Sequence, residues 1–226
     1  MCGRYYLDDD TWDAVREDFP EIDPEYMRIL TARSAAGQSG SGHAVAGRQT
    51  VQDVMPSMPA VSLTAGAAFF APAGPAAAGE RKLSPAVLTW GFPGYDGGRL
   101  IINARAEGIQ KKPTFAESIE KRRCVLPAAG FYEWDRAKQK VTFTRRREPV
   151  IYLAGIWRTY GDEARFVIIT REANASMAPV HDRMPLMIDA KDVKDWLADP
   201  AETEKYLTRQ LPELSAARDY EQMRFF

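Results

Sequence analysis

The first candidate for chemistry is Cys2, which directly follows the initial methionine in "MCGR". If Met1 is removed, Cys2 carries a free α-amine and a thiol on neighbouring carbons. The reference pKa is about 7.7–8.0 for an α-amine and about 8.5 for a cysteine thiol, so both groups are partly nucleophilic near neutral pH. Such an aminothiol suits aldehydes, because the amine forms an imine and the thiol then closes a five-membered thiazolidine. The alternative is a frayed, chemically idle terminus.

A second candidate is the segment "INARAEG", which follows a β-like run. Strand alternation predicts that Asn103, Arg105 and Glu107 project to one face, with Ala104 and Ala106 on the other. An amide there could hydrogen-bond a sugar or a reacting carbonyl, and the guanidinium of Arg105 suits a phosphate. The alternative is a solvated edge strand. The guanidinium of Arg4, close to Cys2 in the sequence, suits a phosphate for the same reason.

Glu133 is the third candidate, because it stands between Tyr132 and Trp134 in a stretch that otherwise predicts a buried strand. Burial of a carboxylate is unfavourable unless it is partnered, and it would raise the pKa toward the range useful for acid–base catalysis. A structural salt bridge would explain the same residue.

His181 is the fourth candidate, in the irregular segment "APVHDRMP" between Pro179 and Pro185. Imidazole is the natural proton shuttle near pH 7, and Asp182 and Arg183 could orient it. A lone histidine can equally be structural.

Trp90 and Phe92, in "LTWGFPG", lie near a predicted turn and could stack on nucleobases. Aromatic residues before a turn also occur in cores. Cys124, in "CVLPAAG", predicts a small buried side chain. The two cysteines and two histidines lack the paired spacing of a zinc site, so we expect no metal and no cofactor.

Composition limits the possible partners. The chain has 226 residues, a formal net charge of -1, 45% hydrophobic and 27% charged residues. Proteins that bind duplex DNA extensively tend to be strongly basic, so any nucleic-acid contact here must come from a local cluster of arginines. The sequence has neither an apolar run long enough to span a membrane nor a secretory signal pattern. We expect a cytoplasmic monomer.

The elements that would position these residues are mostly strands. Amphipathic spacing predicts a helix over 10–19, and Thr114 with Glu117 predicts a capping box at the start of a second helix. Runs rich in β-branched and aromatic residues predict strands. The composition of residues 34–47 predicts a flexible Gly/Ser/Ala-rich loop. We expect this loop to lie within a single domain that covers residues 1–226. The pattern favours an α+β domain with a mainly antiparallel, barrel-like β core and peripheral helices. The predicted strands are 61–63, 87–90, 100–104 and the segments "CVLPAAGFYEW", "KVTFT", "VIYLAGIWRTY" and "RFVIITRE", followed by one or two helices in "DAKDVKDWLADPAETEKYL".

Five motifs in sequence order, "MCGR", "WGFPG", "INARAE", "RRCVLPAAGFYEW" and "HDRMP", resemble those of the SRAP family, the SOS response-associated peptidases described as abasic-site processing proteins. They extend over nearly the whole chain, and their combination is specific. The resemblance implies one α+β domain with a positively charged groove for single-stranded DNA. It also implies that the processed Cys2 condenses with the ring-opened aldehyde of an abasic site and leaves a stable thiazolidine crosslink.

The same resemblance implies roles for four catalytic residues. Cys2 would be the nucleophile, and Asn103 would align the amine and the sugar. Glu133 would assist proton transfer at the amine, and His181 would act as acid and base in opening the sugar. The peptidase label of the family would cover autoproteolytic removal of the residue ahead of the cysteine.

For DNA contacts, the resemblance implies that Arg4 and Arg105 anchor phosphates, with Trp90 and Phe92 near the DNA path. The family's Asn-x-x-Pro segment lining the site is only partly present, because "QDVMPSMP" keeps Pro56 but has an aspartate in the approximate place of the asparagine. This departure affects the expected DNA contacts more than the expected chemistry.

Two other functions fit the same residues. An N-terminal-nucleophile cysteine amidohydrolase would use the α-amine as a base and the thiol to attack an amide. A non-catalytic single-stranded DNA binding module would rely only on arginines and aromatic residues, and its binding would be reversible and salt-sensitive.

Overall fold

The structure is a computed structural model that describes residues 4–22, 49–50, 65–70, 83–95 and 98–218. Four sequence predictions lie outside the described residues, namely those on Cys2, on Pro56, on a strand at 61–63 and on a loop at 34–47.

The described residues form thirteen β-strands and four α-helices. The strands are β1 Arg4–Leu7, β2 Gln49–Thr50, β3 Ala65–Phe70, β4 Ser84–Trp90, β5 Asn103–Arg105, β6 Arg123–Ala128, β7 Gly130–Trp134, β8 Lys140–Arg145, β9 Ile151–Tyr160, β10 Glu163–Glu172, β11 Arg183–Pro185, β12 Met187–Ile188 and β13 Leu214–Arg218. The helices are α1 Asp9–Asp18, α2 Ala116–Lys121, α3 Val193–Ala198 and α4 Thr203–Thr208. No helix in this part of the chain is long and apolar enough to cross a membrane.

The larger sheet has eight strands in the order β11-β10-β4-β3-β6-β9-β12, with β5 attached to β10. Strand β9 also pairs with β10, so this sheet curls back on itself. Most pairings are antiparallel, and the exceptions among the described strands are β4 and β5, which run parallel to β10. The predicted α+β class with mainly antiparallel strands is confirmed, whereas the predicted barrel-like core takes the form of two sheets that are not closed into a barrel.

A second, five-stranded sheet has the order β13-β8-β7-β1-β2 and is antiparallel throughout. The chain passes from the larger sheet to this one at Ala129, between β6 and β7. The apolar run "CVLPAAGFYEW" therefore predicts strand correctly but is divided between two sheets. Ala129 donates its backbone N–H to the carbonyl of Tyr6 at 2.8 Å, which ties the crossing point to β1.

The two sheets share a core in which aromatic rings make the contact between them. The ring centroid of Tyr5, on β1, lies 5.5 Å from that of Trp90 on β4. Trp90 stacks on Phe166 of β10 with a centroid distance of 5.7 Å. The indole N–H of Trp90 also donates to the carbonyl of Ile102 at 2.8 Å. These contacts connect the N-terminal strand with the residue that precedes β5.

The first helix follows the sequence prediction closely. Asp8 caps α1, because its side chain accepts the backbone N–H of Thr11 at 2.9 Å, and the Thr11 hydroxyl contacts the same carboxylate oxygen. Trp12 and Val15 are buried on the inner face of the helix. The observed range, 9–18, differs from the predicted range, 10–19, by one residue at each end.

The capping box predicted at Thr114 and Glu117 is wrong. Helix α2 begins at Ala116, and its capping residue Phe115 makes no side-chain capping hydrogen bond. The Thr114 hydroxyl instead contacts the hydroxyl of Tyr95. Glu117 forms an ion pair with Arg122 at 3.0 Å.

Gly130 is required by the close packing of the small sheet. A Cβ at this position would lie 2.5 Å from the carbonyl oxygen of Phe143 and 2.8 Å from side-chain atoms of Tyr6. Phe143 belongs to β8 and Tyr6 to β1, so the missing side chain lets both neighbouring strands approach β7. The rings of Tyr6 and Tyr132 then stack at 5.0 Å.

We therefore expect Gly130→Ala to lower the free energy of unfolding by about 2–3 kcal/mol, as overpacking in a dense core does. It should also increase amide hydrogen exchange in β1. Urea unfolding and exchange mass spectrometry measure both effects. Gly161→Ala is the control, because Gly161 has open space around a left-handed backbone (φ 59°) and should cost only about 1 kcal/mol. If the backbone amides of β1 exchange no faster in Gly130→Ala than in the wild-type protein, the claim that Gly130 allows β1 to pack closely on β7 is contradicted.

Candidate functional site

The N-terminal strand begins beside Glu133. In the β1–β7 ladder, Arg4 lies opposite Tyr132 and Tyr5 lies opposite Phe131. Because Glu133 is the next residue of β7, the beginning of β1 is adjacent to it. Cys2 itself lies outside the described residues, two positions before Arg4 in the sequence.

Glu133 is a buried carboxyl group. Its exposed fraction is 5%, although Trp134, the next residue, is 39% exposed. Burial raises the pKa of Glu133, and the nearby charge of His181 partly opposes that rise. The burial predicted from the sequence is confirmed. The carboxyl of Glu133 and the imidazole of His181 are therefore close enough to influence each other electrostatically.

His181 lies in the segment between β10 and β11, and its side chain is 25% exposed. Its Nδ1 accepts the backbone N–H of Arg183 at 2.9 Å. An Oδ1 of Asp182 lies 2.8 Å from the same nitrogen. A backbone amide can only donate, so a lone pair of Nδ1 accepts the hydrogen bond from Arg183, whereas the carboxylate of Asp182 can only accept and needs a proton on Nδ1.

Arg183 connects its own motif, "HDRMP", with the motif "INARAE", which contains Glu107. Its guanidinium donates to both carboxylate oxygens of Glu107, at 2.9 and 2.8 Å, and to the carbonyl of Thr170 at 2.6 Å. The hydrogen bonds from Arg183 lower the pKa of Glu107 to about 2, although burial acts in the opposite direction. Glu107 is thus ionised at neutral pH and holds the segment that orients His181. The sequence placed Glu107 on the Asn103 face but gave no sign of its partner.

The last residues of β10 bring Asn103 and Arg105 toward the His181 segment. Asn103 lies opposite Ile168 and Arg105 opposite Thr170 in the parallel β5–β10 pairing. Thr170 is also opposite Pro185 of β11. Arg105 is exposed whereas Ala104 and Ala106 are buried, which confirms the predicted alternation.

The prediction that Trp90 and Phe92 stack on nucleobases is not supported by the structure. Trp90 is 2% exposed and Phe92 is 0% exposed, so neither ring is available to a base. Trp90 is fixed by Tyr5 and Phe166, and the ring of Phe92 lies 5.4 Å from that of Tyr160. Both residues form the core beneath the site rather than its surface.

The exposed aromatic residue next to the site is Trp134, which sequence reasoning missed. The guanidinium carbon of Arg4 lies 5.1 Å from the centroid of its ring. The alternation of β7 contained the signal, because an inward Glu133 requires an outward Trp134.

Cys124 is buried, as predicted, and burial raises the pKa of its thiol. It is therefore a poor nucleophile. Among the described residues no group of three or more His, Cys, Asp or Glu is arranged to hold a metal ion.

Comparisons with known proteins agree with these motifs. A family model described as "SOS response associated peptidase (SRAP)" matches residues 1–224. Abasic site processing protein YoaM of Bacillus subtilis is 34% identical over 119 residues, which cover 49% of this chain and 52% of YoaM. Abasic site processing protein YedK of Escherichia coli is 31% identical over 116 residues, which cover 48% of this chain and 52% of YedK. The chain thus spans about half the length of these curated relatives.

Two crystal structures share the fold over almost their full length. A protein from Bacteroides thetaiotaomicron has a TM-score of 0.67 at 20% identity, covering 97% of this chain and 93% of that one. A phage-related protein from Bordetella bronchiseptica has a TM-score of 0.64 at 19% identity, covering 97% of this chain and 95% of that one. These similarities establish the architecture.

The Glu107–Arg183 ion pair predicts a pH-dependent stability difference. The pKa of Glu107 is lowered to about 2 in the folded state, so the pair stabilises the protein at neutral pH and this contribution is lost as the pH falls toward 2. Because Glu107 is about half exposed, we expect Glu107→Gln to cost only about 0.5–1 kcal/mol at pH 7. Urea unfolding at pH 7, 5 and 3 should show the difference shrinking. Glu17→Gln, at an exposed position of α1, is the control, and a pH-independent difference would contradict the prediction.

Proposed function

This chain belongs to the SOS response associated peptidase (SRAP) family, and from that membership we propose that it processes abasic sites in DNA. Its relatives YoaM, YoqW and YedK are named abasic site processing proteins. The observation that carries the proposal for this chain is the pairing of β1 with β7. This pairing sets the first residue of β1 beside Glu133, a buried carboxyl whose pKa is raised.

The proposed chemistry is covalent capture by Cys2 after removal of Met1. The α-amine attacks the aldehyde carbon of the ring-opened sugar, and the resulting carbinolamine loses the aldehyde oxygen as water to give an imine. The thiol sulfur then adds to the imine carbon while its proton passes to the nitrogen. The product is a thiazolidine, and the net reaction releases one water. No oxidant, metal or cofactor enters this balance.

Chain connectivity supports the placement of the nucleophile. Two residues of extended chain span at most about 7 Å, so Cys2 is held within that distance of the Cα atom of Arg4 whatever its conformation. Arg4 lies opposite Tyr132, the residue before Glu133. This short connection supports the proposal that the amine acts beside the buried carboxyl.

Glu133 is proposed to transfer protons at the amine. The first step requires an unprotonated amine, and the loss of water requires a proton donor at the leaving hydroxyl. A buried carboxyl whose pKa is raised by burial is proposed to serve both steps, as base towards the amine and as acid towards the leaving hydroxyl.

His181 is proposed to open the sugar ring. As an imidazolium it would give a proton to the ring oxygen, and as a neutral imidazole it would take a proton back. Asn103 would align the sugar and the amine. Exposed Arg4 and Arg105 would bind the flanking phosphates bidentately.

The substrate we propose is single-stranded DNA. The aldehyde must reach a carboxyl that is only 5% exposed, so the damaged nucleotide has to leave any base stack, which costs least in a single strand. The net charge of -1 argues against extensive duplex contacts. Reversible affinity should accordingly be modest, and the covalent bond would supply the durability of the complex. A monomeric, cytoplasmic protein stays our expectation.

The test is adduct formation with a synthetic single strand that contains one abasic site. We expect a heat- and detergent-stable adduct with the wild-type protein and none with Cys2→Ala. Cys2→Ser should give at most a hydrolysable imine, because its hydroxyl is a weaker ring-closing group. Denaturing gels measure all three. Cys124→Ala is the matched control, since it removes the other, buried cysteine and should form the adduct.

The same samples distinguish the competing functions. A stable adduct with Cys2→Ala would exclude thiazolidine capture. An amidohydrolase would keep some turnover of amide substrates as Cys2→Ser and form no adduct with the abasic strand. A simple binding module would bind DNA equally well with and without Cys2.

A further inference from the structure

We infer that the β7–β8 hairpin is a second contact for single-stranded DNA, one that binds the backbone where the strand leaves the site. The hairpin is defined here as residues 135–139 together with Lys140, the first residue of β8. This inference rests on the proposed function and names a binding surface outside the catalytic residues.

The hairpin begins immediately beside the site. Strand β7 carries Glu133 and ends at Trp134, so the turn starts two residues beyond the buried carboxyl. Trp134 lies opposite Lys140, and Val141 lies opposite Arg218 of β13. A strand of DNA bound at Glu133 would meet this end of the small sheet first.

The turn presents positive charge to solvent. Arg136 and Lys138 are exposed, and within the described ranges neither side chain takes part in an ion pair. Lys138 has a left-handed backbone (φ 61°) that forms the tip of the turn. Together with Lys140 and Arg218, they place four cations at one end of a sheet in a chain whose net charge is -1.

The single carboxylate in the hairpin is used to shape the turn. Oδ1 of Asp135 accepts the backbone N–H groups of Ala137 and Gln139, both at 2.9 Å. Its Oδ2 lies 3.8 Å from Nε of Arg218. Asp135 therefore fixes the conformation that displays Arg136 and Lys138 and does not neutralise either of them.

Cations and aromatic rings alternate between the site and the hairpin. The guanidinium of Arg4 lies over the exposed Trp134, and Nζ of Lys140 lies 4.0 Å from the centroid of the Tyr132 ring. An exposed aromatic ring beside cations suits unpaired bases and phosphates together, because bases stack on the ring while the cations follow the backbone. This pattern favours a single strand over a duplex or an acidic protein.

The opposite end of β8 offers a matched comparison. Arg146 and Arg147 are likewise two exposed cations in one turn. Arg147 has a left-handed backbone (φ 64°), as Lys138 does. The six residues of β8 separate the two turns by about 20 Å. Removal of either pair changes the net charge equally, so only the location of the charge differs.

The experiment compares the double variants Arg136→Gln/Lys138→Gln and Arg146→Gln/Arg147→Gln. Their binding to an undamaged, fluorescently labelled single strand is measured by anisotropy over a range of salt concentrations. We expect the hairpin variant to bind about tenfold more weakly, with a plot of log K against log salt flatter by about 1.4, since each lost phosphate contact changes the slope by about 0.7. The control variant should change by less than about twofold.

Equal weakening by the two variants, or no weakening by either, would overturn the inference. A selective loss seen with duplex DNA and not with the single strand would overturn the choice of ligand. Adduct formation with an abasic strand is scored for the wild-type protein in the same preparations. If the wild-type protein forms no adduct, the proposed function is rejected. If it forms the adduct but the hairpin substitutions do not weaken DNA binding, only the inference about the hairpin is rejected.

Discussion

The pairing of β1 with β7 is the contact on which the candidate site depends. It sets Arg4 opposite Tyr132 and so brings the beginning of the chain to the buried Glu133. The close approach at Gly130 and the Tyr5–Trp90 contact hold β1 from two directions. A short strand at a chain end would ordinarily fray. Here it lies between β7 and β2 in the sheet, and its side chains after Arg4 are all buried.

The charges around the site have different environments and therefore different uses. Glu133 is buried and its pKa rises, whereas Glu107 is bound by Arg183 and its pKa falls. The first carboxyl is the one proposed to transfer protons, and the second is an anion that holds the Arg183 segment. That segment in turn donates a backbone N–H to His181. The two carboxyl groups thus differ in their surroundings, because one is buried and the other is bound by a guanidinium.

Sequence patterns predicted the features that depend on local spacing. Alternation identified the exposed side of "NARAE", and apolar runs identified most of the long strands and the burial of Glu133 within one of them. Features that depend on distant partners were missed or wrong. Trp90 and Phe92 look exposed beside a turn, but β1 and β10 cover Trp90 and Tyr160 packs against Phe92. The Glu107–Arg183 pair joins residues 76 positions apart, so no local pattern could show it.

The most direct test of the account is the accurate mass of the peptide that carries the DNA remnant after digestion of the adduct. We predict a peptide that begins at Cys2 without Met1, with its mass increased by that of the sugar remnant minus one water. Neither a free thiol nor a free α-amine should be detected on it by alkylating or acylating reagents. A peptide that keeps Met1, or a remnant attached to a lysine, would contradict capture by the amine and thiol of Cys2.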